Sequence, residues 1–448
     1  VAVNTAPSFS ADIENYIADE TLPLARRQLV VYQFGDPLSL DEGRGTTYTA
    51  VRYNRIVLPF APLSEGVPPI GETMTISTVS VTALQWGDKV TITDVAELTI
   101  KHPLFKKAIE LISLQMSETL ERNTFVALLA GTQVNYVNSR GSRAALLSTD
   151  VLDTTTVIRT NAALETLGAP RYMGDEMTDE MKSVEAGGSR ASENPRQMPH
   201  YAGVMHTLVI GDFRQNSQVN LAWTYSDLNR LYNYEAGEWS GIRWCKSNMV
   251  PSWTGIAQVN GTAGTSGALA TNATYYIIVT GSDTQNQYES NIYQVSASIN
   301  VTGPNGSISV TLPSTAGFTY NVYVGTTTSP GKLGLTASGP LSGPMAGQAV
   351  QLAAGTTVVI TGLGLTQTPP AAPATGVTVY PTFIFGRGAY GQVVLKDAEF
   401  NYLDKADKSD PLNQLRIVGW KCFYGTLLEN TTFFARIESA SAFSTTFT

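Results

Sequence analysis

"LPFAPLSEGVPPIGE", Leu58 to Glu72, is apolar, holds four prolines and carries two charges. Two stretches flank it, "TTYTAVRYNRIV" before and "ETMTISTVSVTA" after. Both are rich in Thr, Val, Ile and Tyr, the composition of pleated strands. In the second, Met74 and Ile76 keep one phase, while Val79, Val81 and Ala83 keep the other. That slip near Thr78 predicts a bulge or a twist. The β pattern covers Thr46 to Thr93, and the two runs predict a hairpin with a stiff apolar tip.

Length decides what such a hairpin does. The thirteen residues from Thr46 to Leu58, at ~3.3 Å each, reach roughly 43 Å. A parent domain of ordinary size has a radius of gyration of roughly 16 Å, so a fully extended arm carries its tip outside its own domain. A two-stranded ribbon is marginal in water, and an apolar tip on it invites association. The alternative is a sandwich onto which the loop folds back. Against it, a long helix follows, and no third strand pattern lies near in sequence. A neighbouring copy that covers arm and tip removes the difficulty.

The helix is announced by Pro103, which suits a first turn, and "LFKKAIELISLQMSETLERNTFVALLAG" follows. Phe105, Ile109, Ile112, Met116 and Leu120 form one stripe. Lys106 with Glu110 and Glu118 with Arg122 are spaced for i, i+4 pairs, and Gly131 is a C-terminal stop. About 28 residues at ~1.5 Å give a rod of roughly 42 Å.

Residues 1–45 have weak periodicity and read as an extended arm, with room for a short helix over Glu20 to Tyr32. Residues 132–254 read as mixed α/β, with a helix in "TTVIRTNAALETLG" and a buried strand in "MHTLVIGD". Met173 to Arg196 between them is polar and reads as a surface loop. At Gly255 the composition changes. From there to Gly376 only Asp283, Glu289 and Lys332 are charged, and short β runs recur at sandwich spacing. This reads as an all-β domain inserted as a unit, with "QTPPAAPATG" as a stiff outgoing linker. The parent domain resumes near Val377. "VYPTFIFGRGAYGQVVL" and "LRIVGWKCFYGTLLENTTFFARIES" give further strands, the last two a long antiparallel pair.

The 448 residues imply more than one domain. The net charge of −8 and the lack of a Lys/Arg cluster argue against gripping nucleic acid by its backbone. Cys245 and Cys422 make no disulfide framework and read as reduced thiols. No stretch has the length and apolarity of a membrane span, and "VAVNTAPSFSADIE" has no signal-peptide pattern.

The search for chemistry returns decoys. His102, His200 and His206 lack partner patterns and read as structural. "GRGAYG" matches the dinucleotide fingerprint at Gly386, Gly388 and Gly391, but the β-like "QVVLKD" follows where a helix is required. "GTTTSPGKL" misses the phosphate-loop spacing, and Leu333 stands where a hydroxyl should hold magnesium. Asp404, Asp407 and Asp410 lack the alternate spacing and glycine of a calcium loop. Asp175, Glu176, Asp179 and Glu180 lie on a loop without the rigidity that glycoside hydrolysis needs. No cofactor, metal or catalytic residue is assigned, and the chain reads as a non-enzyme.

Five stretches carry a resemblance: "LSEGVPPIGETMT" (Leu63–Thr75), "WGDKVTITDVAELT" (Trp86–Thr99), "SETLERNTFVALLAGT" (Ser117–Thr132), "FIFGRGAYGQVVL" (Phe383–Leu395) and "KSDPLNQLRIVGWK" (Lys408–Lys421). With the order of parts, they resemble tailed-bacteriophage major capsid proteins of the Hong Kong 97 type. The nearest branch is that of podophages similar to coliphage N-four. The resemblance implies an α+β capsid fold. Its parts are an N-terminal arm (1–45), an E-loop hairpin with the start of the peripheral domain (46–100), and a spine helix with peripheral and axial parts (101–254). An inserted immunoglobulin- or fibronectin-type-III-like sandwich (255–376) and the remainder of both domains (377–448) complete it. Within the insert, Tyr320 and Tyr323 would sit at a strand and its corner.

The implied function is self-assembly into an icosahedral shell around double-stranded DNA, made in the bacterial cytoplasm and located in the virion. The implied partners are further copies in hexamers and pentamers, scaffold, portal and cement or decoration proteins, and packaged DNA held by weak non-specific contact, with no membrane. Arg52, Arg55, Phe60, Leu63, Glu65, Val67 and Ile70 are the candidate intersubunit contacts. The alternative from another class is an extracellular adhesin or carbohydrate-binding protein whose sandwich is the binding module.

Overall fold

The computed structural model describes residues 29–41, 43, 45–54, 56–58, 62, 71–100, 104–172, 199–225, 232–283, 288–303, 306–328, 334–335, 352–363, 369–403 and 414–444. The first elements are β1 (Asp36–Ser39), β2 (Thr47–Tyr53), β3 (Ile76–Thr82), β4 (Leu84–Thr93), α1 (Asp94–Thr99) and α2 (Leu104–Leu129). Then come β5 (Val134–Tyr136), α3 (Thr154–Thr166), β6 (Tyr201–His206), α4 (Thr207–Gln215), α5 (Ser217–Tyr225), β7 (Glu235–Trp239), β8 (Ile242–Ser247) and β9 (Trp253–Ile256). The uncharged region holds β10 (Gly261–Leu269), β11 (Ala273–Asp283), β12 (Glu289–Tyr293), β13 (Ile299–Val301), β14 (Gly306–Thr311), β15 (Phe318–Gly325), β16 (Gly334–Leu335), β17 (Leu352–Ala353) and β18 (Thr357–Ile360). The chain closes with β19 (Thr378–Phe385), β20 (Tyr390–Leu403), β21 (Leu415–Leu428) and β22 (Phe434–Ala440). The class is α+β, and the expected order of hairpin, long helix and mixed α/β region is the order found.

The chain divides into two compact bodies. The first contains Gly35–Ser113 and Gly388–Asn430. Its sheet runs β1-β20-β21-β4, with β2-β3 as a separate two-stranded sheet. The long β20–β21 ladder pairs Tyr390 with Leu428 at one end and Leu403 with Ile417 at the other. Thr93 caps α1, its Oγ1 accepting the Ala96 N–H at 3.3 Å. Ile92, Ala96, Ile100 and Ala108 form the small core beneath.

The second body contains the segment that ends at Phe34, Leu114–Arg387 and the segment from Thr431 onward. Its main sheet path is β16-β15-β11-β12-β9-β19-β6-β8-β7, and β22 pairs with β19 and β5. Trp244, Tyr201, Phe213 and Ile384 are among the buried core residues here. The uncharged region adds a second layer, β10-β14-β18. Between its layers lies its own core, with Tyr275, Ile277, Val310, Tyr320 and Val322. Cys245 and Cys422 are both buried and unpaired.

Several expectations change. "MHTLVIGD" is mostly helix: only Met205 and His206 belong to β6, which ends at His206, whose Nδ1 accepts the Leu208 N–H at 3.2 Å and caps α4. Val209, Ile210 and Phe213 then make a buried helical stripe. Helix α2 has 26 residues in place of about 28, and its buried line differs. Ile109 is exposed, while Ala108, Ile112, Glu121, Thr124, Phe125 and Leu128 are buried. Glu110 meets Lys107 at 3.0 Å. The long closing pair is β20–β21; β22 is a separate strand in the other body. Tyr323 is not at a corner: it lies within β15, three residues from Tyr320 and so on the opposite face.

Candidate intersubunit surface

The β2–β3 ladder runs from Thr47–Thr82 to Tyr53–Ile76 without a break in register. Of the bulge or twist expected near Thr78, the bulge is therefore absent, and the phase slip has a further meaning. Alternate residues of a strand point to opposite faces, so the slip moves the apolar side chains from one face to the other. At the base, Tyr48, Ala50, Val79 and Val81 share a half-buried face. Towards the tip, Val51, Tyr53 and Ile76 lie on the other face, 53%, 68% and 59% exposed. Met74 precedes Ile76 by two residues and is exposed, as are Ile56, Val57 and Leu58.

The opposite face near the tip is polar. Arg52 Nε donates to Ser77 Oγ at 3.3 Å, Ser77 Oγ donates to Asn54 Oδ1 at 3.3 Å, and Asn54 Nδ2 donates to Thr75 Oγ1 at 3.1 Å. Among the described arm residues only Arg52 and Glu72 are charged. The outer arm is thus a ribbon with one apolar and one hydrogen-bonded face. No residue of either strand is buried. Single exposed apolar residues are ordinary, whereas a contiguous group on a two-stranded ribbon is a candidate association surface.

Of the candidate contacts, Arg52 is placed on the polar face. Arg55, Phe60, Leu63, Glu65, Val67 and Ile70 lie outside the described residues. Val51, Tyr53, Met74 and Ile76 were not among the candidates, although the phase slip was the signal that marked them. His102, residues 173–196 with their acidic side chains, and the Asp404 to Asp410 stretch also lie outside the described residues.

His200 and His206 make local contacts within the fold. His200 Nε2 lies 2.9 Å from Tyr232 Oη, and the ring stacks near Tyr172. Burial lowers the pKa of His206 to about 4, consistent with a neutral ring whose Nδ1 is free to accept. Gly388 has φ +71° and leads straight into β20, so "GRGAYG" is a turn before a strand. Among the described residues no helix is long and apolar enough to cross a membrane.

Glu121 is a carboxylate inside the helix face. It accepts the Val30 and Val31 N–H at 2.6 and 2.7 Å and the Tyr32 N–H at 2.9 Å. Burial raises its pKa, and these three bonds oppose the rise. The side chain pins the start of the 3-10 turn Val31–Phe34. Phe34 then sits edge-on to Tyr232 and Phe385.

Solved structures similar to this chain include the capsid of Ralstonia phage GP4, at 9% identity and TM-score 0.48, over 98% of each chain. The capsid of cyanophage P-SCSP1u matches at 12% identity and TM-score 0.47, over 95% of this chain and 93% of that one. The acid-stable capsid of Helicobacter pylori bacteriophage KHP30 matches at 8% identity and TM-score 0.47, over 98% of each. All three are bacteriophage capsids. No family model and no curated protein matches the chain.

Proposed function

We propose that this chain is a major capsid protein, whose copies assemble into an icosahedral shell around double-stranded DNA. The observation that carries the reading is the β2–β3 arm. It is a two-stranded sheet with no buried residue, and its outer half exposes Val51, Tyr53 and Ile76 on one face. A ribbon of this kind gains stability when another surface covers it. Repetition of one such contact around a ring produces closed assemblies from identical chains.

In this reading 46–100 is the E-loop with the start of the peripheral domain, α2 is the spine helix, and 255–376 is an inserted sandwich. Residues 1–45 form the N-terminal arm, and 101–254 with 377–448 supply the rest of the peripheral and axial domains. Val51, Tyr53, Met74 and Ile76 dock on the next copy, joined by Phe60, Leu63, Val67 and Ile70 at the tip. Arg52, Arg55 and Glu65 make polar contacts at the rim. Hexamers and pentamers are the assembly units. The acidic balance favours weak, non-specific DNA contact. Scaffold, portal and cement proteins are the further partners, the protein is made in the host cytoplasm, and it performs no catalysis. Electron micrographs of the purified protein are expected to show closed shells or rings; a persistent monomer under all assembly conditions would refute the proposal.

A further inference from the structure

The root of the 255–376 region is built as a clamp. β9 leads into the region, and the outgoing segment returns through Ala371 to Val377. Arg143, far from both in sequence, touches each. Its guanidinium lies over the Trp253 ring, 3.6 Å from the centroid. Its Nη1 donates to Ala371 O at 2.9 Å. Its Nε and Nη2 donate to the two Glu438 oxygens on β22, each at 2.7 Å. Arg436 adds a second cation, Nε to Glu438 Oε1 at 3.1 Å. The Arg143 and Glu438 side chains are buried. A planar guanidinium can stack by its face and donate along its edges at once, which an ammonium cannot do.

The two root segments are also locked to each other. Gly255 N–H donates to Val377 O at 3.0 Å, and Gly376 N–H donates to Gly255 O at 2.8 Å. A Cβ on Gly255 would meet Ala374 O at 2.2 Å and Pro373 O at 2.5 Å, so the close approach requires glycine there. Gln294 Nε2 donates to Pro373 O at 2.5 Å, and β12 pairs in parallel with β9. Tyr288 Oη donates to Arg122 O in α2 at 3.4 Å.

We infer that the inserted region is a rigid extension of the parent sheet, not a tethered appendage, and that Arg143 and Gly255 are the positioning residues that fix its direction. The inference rests on reading 255–376 as an insert. The outgoing Pro/Ala segment then acts as a pinned strap and not as a spacer. On an assembled shell, every copy would present the insert at one angle.

The test is hydrogen exchange on the full chain, wild type against Gly255→Ala and Arg143→Met. Gly255→Ala leaves the buried charges untouched, so it remains informative if Arg143→Met fails to fold. The root amides of Gly255, Gly376 and Val377 are expected to exchange at least about tenfold faster in Gly255→Ala, with the β19–β22 and β11–β15 ladders still protected. Arg143→Lys is expected not to restore the root in the Arg143 series. In shells, insert density as sharp as the parent's is expected for wild type and blurred insert density for Gly255→Ala. Unchanged root exchange, equal loss of protection in β19–β22, or a blurred wild-type insert would each overturn the inference. Absence of shells with the expected exchange would strike the capsid reading and leave this one standing.

Discussion

The apolar face of the arm offers the sharpest perturbation. Tyr53 and Ile76 stand opposite each other on the ladder, 68% and 59% exposed. Full burial of a large apolar side chain contributes about 1.5–3 kcal/mol, so covering the exposed remainder of each is worth about 1–2 kcal/mol. Replacing both by Ser should therefore weaken each arm contact by about 2–4 kcal/mol, roughly 30- to 700-fold in the pairwise constant. The folded chain loses little, because substitutions at exposed sites stay within about 0.5 kcal/mol. The assay is the protein concentration at which assemblies appear, by light scattering, alongside thermal unfolding of the unassembled chain. Val359→Ser is the control, an exposed apolar residue elsewhere. The double variant should shift the assembly threshold upward by at least tenfold, with an unchanged melting curve and an unaffected control. Assembly at the wild-type concentration, or an equal shift in the control, would refute the reasoning.

Two further outcomes follow from buried groups. Glu121→Ala leaves the buried Val30 and Val31 N–H groups without their acceptor, at about 1–3 kcal/mol each, partly offset by removal of a desolvated carboxylate. The net loss should be about 2–4 kcal/mol, read as faster exchange of the Val30, Val31 and Tyr32 amides and a lower melting temperature; unchanged exchange would show that the carboxylate does not hold the segment. His206 has its pKa lowered by burial from 6.5 to about 4, so the unfolded chain binds a proton in that window that the folded chain refuses. Its contribution therefore falls as pH drops from 6.5 to about 4, by at most about 3 kcal/mol. His206→Asn, which keeps a capping acceptor, should flatten the denaturant-measured stability profile across this window, and an identical slope would reject the assignment.

How far the sequence carried these features depends on the range of the forces. The hairpin was legible because period-two alternation is local, and the composition change at Gly255 was equally plain. The slip at Thr78 was visible but its meaning was not: alternation cannot tell a bulge from a ribbon whose apolar side changes face. Helix α2 was legible in extent, but its buried line was not, because Glu121 is buried by bonds to main-chain groups about ninety residues earlier. "MHTLVIGD" misled because a short apolar run fits strand and helix alike until a capping side chain decides. The clamp left no pattern at all. Arg143 and Glu438 are 295 positions apart, and neither is flanked by anything that marks it.

The mass of the particles formed by the purified chain tests the central claim most directly. Measured particle by particle across a range of protein concentrations, wild type should convert cooperatively from single chains or small rings to closed shells of many copies, and the Tyr53→Ser/Ile76→Ser double variant should not. A single chain at every concentration, or a mass that rises smoothly without a closed end point, would contradict the account.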